Sequence, residues 1–211
     1  STVTYINNLK LRKIKDKKEV QVAGLPANAK ISNLSWSPND TKILFTNTAA
    51  NGVELWVIDV ASAQAKKLTE ANLNANLGAP FSWFGDNETI LVKLLPSNRK
   101  PLLDSKKDLP AGPIISNASG AKSQNRTYPD MLKNKNDEIN FENIITSELY
   151  KITLSGNKTL FKSADMFAGQ SLSPDGNYIM ITTIQKPFSY IVPLNRFPMK
   201  SVVYDKSGRE V

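Results

Sequence analysis

The residues that most often carry catalysis are missing from this chain: its 211 residues include no His and no Cys. Without imidazole there is no Ser-His-Asp or Cys-His relay and no His-ligated zinc. Without thiols there is no disulfide scaffold, thiolate metal site or cysteine nucleophile. No G-x-S-x-G elbow and no phosphate-cradling Gly-rich loop occurs. The carboxylates do not gather into a calcium loop, since Asp137-Glu138 is too short a run. No cofactor and no metal is therefore expected. What remains is binding chemistry by cations and aromatic rings. Lys and Arg number 27 against 19 Asp and Glu, a net charge of +8. The unusual stretch is Gln185–Lys200, where Lys186 and Arg196 flank a run of prolines and aromatics that includes Phe188 and Tyr190.

The positive balance could suit an anionic partner, but the charge is scattered. Its densest run, Lys10 to Lys18, is broken by Leu11 and Ile14 and followed by alternating Glu19, Val20, Gln21 and Val22. That pattern predicts a strand, a loop and a strand with a solvated face. It carries no RNA-binding aromatic signature and no helix-turn-helix, so nucleic acid is not expected as a partner. No apolar run reaches the roughly 18 residues of a membrane helix, so no membrane partner is expected, and none near Ser1 reads as a leader. A chain beginning without Met is expected to be a processed or truncated product.

Internal repeats decide the fold class. Leu34-Ser-Trp-Ser-Pro-Asn-Asp40 leads into Ile43-Leu-Phe45, Phe81-Ser-Trp-Phe-Gly-Asp-Asn87 into Ile90-Leu-Val92, and Ser171-Leu-Ser-Pro-Asp-Gly176 into Tyr178-Ile-Met-Ile181. Each is a short strand, a turn whose residues pre-set φ or tolerate left-handed backbone, and a second strand. A further strand pair follows each hairpin, beginning at Glu54-Leu-Trp56, Glu148-Leu-Tyr150 and Ser201-Val-Val203. Four short antiparallel strands, repeated, predict an all-β chain: a partial β-propeller of about three four-stranded antiparallel blades with a long insertion in one blade. The expected organisation is 1–30 as outer strands of a first blade, 31–70 as a blade, 77–163 as a blade with an insertion at about 96–147, and 169–211 as a blade. The insertion, rich in Pro, Ser, Asn and Lys, is expected to be mostly irregular with a short helix near 129–133. Trp36, Trp56, Trp83 and Tyr150 are expected to pack between blades. Three blades do not close a ring, so the chain reads as a piece of a longer propeller.

Several of these segments resemble the glutamyl endopeptidases of the prolyl-oligopeptidase family of serine peptidases. Gln185-Lys-Pro-Phe-Ser-Tyr-Ile-Val-Pro-Leu-Asn-Arg-Phe-Pro-Met-Lys200 is similar to that group's H-R-P-Y-S-F-I-V-P-x-x-R-F-P-K-K. Lys100-Pro-Leu102 with Pro110-Ala-Gly-Pro113 resembles K-P-L-V-P-S-G-P, and Arg126-Thr-Tyr-Pro-Asp-Met-Leu-Lys133 resembles R-T-F-Q-D-L-L-K. The likeness covers essentially the whole chain and includes the insertion. Lys186 departs from it, standing where the group has Arg.

The resemblance implies a two-part enzyme, a propeller capping a C-terminal α/β-hydrolase domain that carries Ser, Asp and His. None of those three is placed in this chain, which would gate and line the cavity for peptide substrates cleaved after Glu. A cation is the group expected to meet a substrate carboxylate, and Arg offers a bidentate fork for it. Arg196, Lys186, Tyr190 and Arg126 are the candidate substrate-binding residues. The resemblance also implies an exported, periplasmic location in a bacterium. The rival reading is a periplasmic binding propeller that recruits a protein partner and has no peptidase domain; an open array that associates with itself is a third.

Overall fold

A computed structural model of the chain describes residues 5–104 and 131–211. A short hairpin, β1 (Lys10–Arg12) with β2 (Glu19–Gln21), precedes three antiparallel sheets. The first sheet runs β3 (Ile31–Trp36), β4 (Lys42–Ala49), β5 (Gly52–Asp59) and β6 (Gln64–Lys67) in spatial order. The second runs β7 (Phe81–Trp83), β8 (Thr89–Leu94), β9 (Ser147–Thr153) and β10 (Lys158–Asp165). The third holds β11 (Phe167–Leu172), β12 (Tyr178–Ile184) and β13 (Met199–Asp205), and Glu210 returns to bridge Tyr204. Among the described residues one α-helix, α1 (Lys135–Ile145), lies between β8 and β9. The architecture is all-β, a partial propeller whose sheets are the blades.

The first turn of each blade repeats one construction. Asp40, Asn87 and Gly176 occupy the same position with φ of 57°, 61° and 66°. Each donates its N–H to the carbonyl three residues back, at Ser37, Phe84 and Ser173. This is a tight turn closed by one left-handed residue, a place for Asn, Asp or Gly. The preceding side chains Asn39, Asp86 and Asp175 each accept the N–H two residues ahead. Sequence chemistry thus sets the turn before any blade packs on another.

Strand alternation then sends apolar residues to both faces of each sheet. Leu44, Leu55 and Val57 of the first blade meet Phe81, Trp83, Ile90, Val92 and Ile152 of the second. The opposite face of the second blade, with Phe84, Leu91 and Leu149, meets Phe167, Ile179 and Ile181 of the third. The hairpin lays Val22, Leu9 and Leu11 over Ile43, Phe45 and Ile58 on the far face of the first blade. Fully burying a Leu or Ile of this kind stabilises by roughly 1.5–3 kcal/mol.

Two expectations need correction. Trp83 and Tyr150 pack in the core between the first and second blades and Trp56 stacks on Phe45, but Trp36 is 51% exposed. It shares the register of Ile43 at the edge of the first blade, beyond the hairpin's cover. The helix also differs from the one expected at 129–133. Met131–Lys133 are irregular, and Pro129 and Asp130 lie outside the described residues. The start signal is Asn134, whose side chain accepts from Asp137 N–H while Asp137 accepts from Lys133 N–H. That reciprocal cap outweighs a proline five residues earlier.

Candidate functional site

Antiparallel connectivity sorts the links between strands onto two ends of the sheets. One end holds only short turns: 37–41, 60–63, 84–88, 154–157, 173–177 and 206–208. The other holds the linker 68–80, the described parts of the insertion and the loop 185–198. Lys186, Tyr190 and Arg196 are all in that last loop, so the loop end is the candidate site.

Helix α1 organises this end. Its last carbonyls need partners, as at any helix terminus. Asn74, 2% exposed, donates to the carbonyls of Ile144 at 2.9 Å and Thr146 at 3.1 Å. Asn76 adds a bond to Ile144 at 3.3 Å. On another side the Asn140 amide both donates to and accepts from the backbone of Leu103. Arg99 Nε donates to the Asn143 carbonyl at 3.0 Å. A groove of about 480 Å³ lies there, lined by Pro96, Arg99, Lys100, Ile139, Glu142 and Asn143 among others.

The helix meets the loop 185–198 through three phenyl rings. Phe141 stands edge-on to Phe188 at 5.2 Å and to Phe197 at 5.8 Å, and Phe188 stacks on Phe197 at 5.6 Å. These are favourable aromatic geometries. Ile145, Met166 and Ile184 complete the buried cluster. Polar contacts surround it. Lys186 Nζ pairs with Glu142 at 2.7 Å and lies 5.9 Å from the Phe188 ring centroid. Tyr190 OH donates to Glu138 at 2.7 Å, and Lys135 pairs with the same carboxylate at 2.8 Å. The Lys135 bond first, then the Tyr190 bond, holds Glu138 below the usual carboxylate range, and the bond to Glu138 pushes the Tyr190 phenol up.

Arg196 ends a 3-10 turn, Leu194–Arg196, in the same loop. Its backbone N–H is used by Pro193. Its side chain is exposed, and among the described residues its guanidinium has no ion pair. The structure therefore brings Lys186 and Tyr190 together against one helix and leaves Arg196 open in the same loop. Arg126 lies outside the described residues. Sequence reasoning missed Glu138, Phe141 and Glu142. The Asn134–Asp137 cap followed by Phe141 and Ile145 one turn apart was the available signal.

Two neighbouring features complete the electrostatics. Lys93, 3% exposed, donates to the Leu77 carbonyl beneath the loop end, and burial pulls its ammonium down to about 8. Gly78 beside it has φ of +60°, and a Cβ there would stand 2.4 Å from the Ala168 carbonyl oxygen of the third blade. At the turn end, a cavity of about 360 Å³ is lined by Phe84, Asp86, Lys151, Asp175 and Lys206. Its carboxylates are consumed by their own turns, and Lys151 lies about 5 Å from both the Phe84 and Phe161 rings. Among the described residues no group of three or more acidic side chains could hold a metal ion, and no helix is long and apolar enough to cross a membrane.

Comparison with known proteins agrees with this fold and narrows it. No protein-family model matches the chain. A solved prolyl endopeptidase superposes with a TM-score of 0.50 at 16% identity, over 83% of this chain and 22% of that one, which supports a β-propeller segment. The chain is 32% identical over 200 residues to the probable chloroplastic glutamyl endopeptidase of Oryza sativa subsp. japonica. It is 31% identical over 207 residues to that of Arabidopsis thaliana. These matches take in 90% and 92% of the chain but 21% of each relative, so the chain spans about a fifth of their length. The chain is thus similar in sequence to the glutamyl endopeptidases over that fifth of their length.

Proposed function

We propose that this chain is the non-catalytic propeller segment of a serine peptidase and that its loop end lines the path of oligopeptide substrates. The chemistry belongs to a C-terminal α/β-hydrolase domain of the same protein, because a chain without His cannot supply a Ser-His-Asp relay. The reading includes cleavage after Glu and a protein exported to the bacterial periplasm. The organisation into blades at 31–70, 77–163 and 169–211, preceded by outer strands at 1–30, belongs to the same proposal.

One observation carries the substrate side. At the loop end the carboxylates of Asp137, Glu138 and Glu142 are all taken by the helix cap, by Lys135 and Tyr190, and by Lys186. Arg196 is left with an open guanidinium in a loop that resembles the glutamyl endopeptidases. A planar fork of donors suits a carboxylate and discriminates against its neutral amide. The test compares wild-type, Arg196→Ala and Arg196→Lys full-length protein on matched peptides with Glu or Gln before the cleaved bond. Arg196→Ala is expected to lower kcat/KM for the Glu peptide about tenfold or more, with little change for Gln. Equal losses on both peptides reject the role.

A further inference from the structure

We infer that Glu138 and Glu142 are internal stand-ins for the substrate's carboxylate. The inference rests on the reading above, in which the loop end receives acidic peptides. The two other candidate donors in loop 185–198, the Lys186 ammonium and the Tyr190 hydroxyl, each already hold a glutamate side chain. Both glutamates come from α1 and carry the same functional group as the proposed ligand.

The Lys186–Glu142 pair is built to exchange. The Lys186 and Glu142 side chains are 51% and 38% exposed, so water reaches both partners and the pair is weak. The helix itself is not free to leave. The three phenyl rings, the Asn74 and Asn76 caps and the Asn140–Leu103 pair hold it from three sides. Exchange is thus a rotation of a glutamate side chain on a fixed helix. An incoming γ-carboxylate takes the donor, and the displaced glutamate turns to solvent. A neutral Gln side chain brings no charge to this competition and gains little. Self-occupancy therefore weakens acidic ligands somewhat and neutral ones hardly at all, while keeping the donors in place between ligands.

The experiment uses the full-length protein and titration calorimetry with two uncleavable peptides that differ only in one Glu or Gln. Glu142→Gln is expected to tighten the Glu peptide by up to about fivefold, the range that exposed ion pairs allow, and Glu138→Gln, whose partner in this loop is a neutral hydroxyl, by less. The Gln peptide is expected to change less than about twofold. Adding Lys186→Met to Glu142→Gln should cancel the gain. If the wild type binds the Glu peptide, Arg196→Ala weakens it, and neither glutamine variant tightens it, this inference falls and the loop-end reading stands. If no form binds either peptide, both fall. The glutamine substitutions are conservative, and an unchanged unfolding midpoint certifies the fold.

Discussion

The two ends of the blades use their carboxylates in opposite ways. At the turn end, Asp86, Asp175 and Asp205 bond to hydroxyls and N–H groups two to four residues along their own chain, and Asp59 does so while also pairing with Lys42 across β4–β5 at 2.6 Å. At the loop end, Glu138 and Glu142 reach across about 50 residues of sequence to Tyr190 and Lys186. Local carboxylates set turn geometry and leave little to offer a ligand. Long-range ones join an insertion in the second blade to a loop of the third, through Tyr190 and Lys186. The lesson is that a cavity near charged residues is not a site by that fact alone: the turn-end cavity holds two lysines and two aspartates, and its aspartates are already spent on backbone.

The largest blow to this contrast is Phe197→Ala. It removes the ring that meets both Phe141 and Phe188 and should cost about 3 kcal/mol in urea unfolding. Amide exchange should quicken across α1 and 185–198 and stay slow at 42–47; uniform quickening would mean the ends are not independent. Next is Lys93→Met. Because burial lowers the Lys93 ammonium to about 8 from the ordinary 10.5, the unfolded chain binds more protons between those values. Stability from this group therefore rises as pH climbs from about 8 to 10.5, and below 8 the full penalty persists, roughly 3 kcal/mol. Lys93→Met should exceed the wild type by up to that amount at pH 7 and converge with it near pH 10.5; a constant difference would refute the assignment to a buried charge. The mildest effect is Asp175→Asn. Ser173 and Asn177 hold the Asp175 carboxyl down at about 2, so its contribution is present above pH 4 and is lost as pH falls toward 2. The variant should flatten that part of the acid titration of stability, with no change at the loop end.

The same contrast explains what could be read from residues alone. The turn end was legible because Ser-Pro-Asp-Gly and its relatives encode their geometry within six residues. The three blade hairpins and the β1–β2 pair follow from such local signals and from strand alternation. The loop resembling the glutamyl endopeptidases was singled out, and Lys186, Tyr190 and Arg196 with it. Their differing states were not legible, since nothing near Lys186 in sequence announces Glu142. The Asn134 cap was overlooked in favour of a proline. Trp36 was misjudged because alternation gives its face but not whether a neighbour covers that face.

Gly78 carries a mechanical corollary. With no room for a methyl group before the Ala168 carbonyl, the linker into the second blade and the start of the third touch backbone to backbone at the loop end. Such a point of closest approach acts as a fulcrum. Any rocking of these two blades about it keeps the loop-end rim at nearly constant width and spreads the far rim instead.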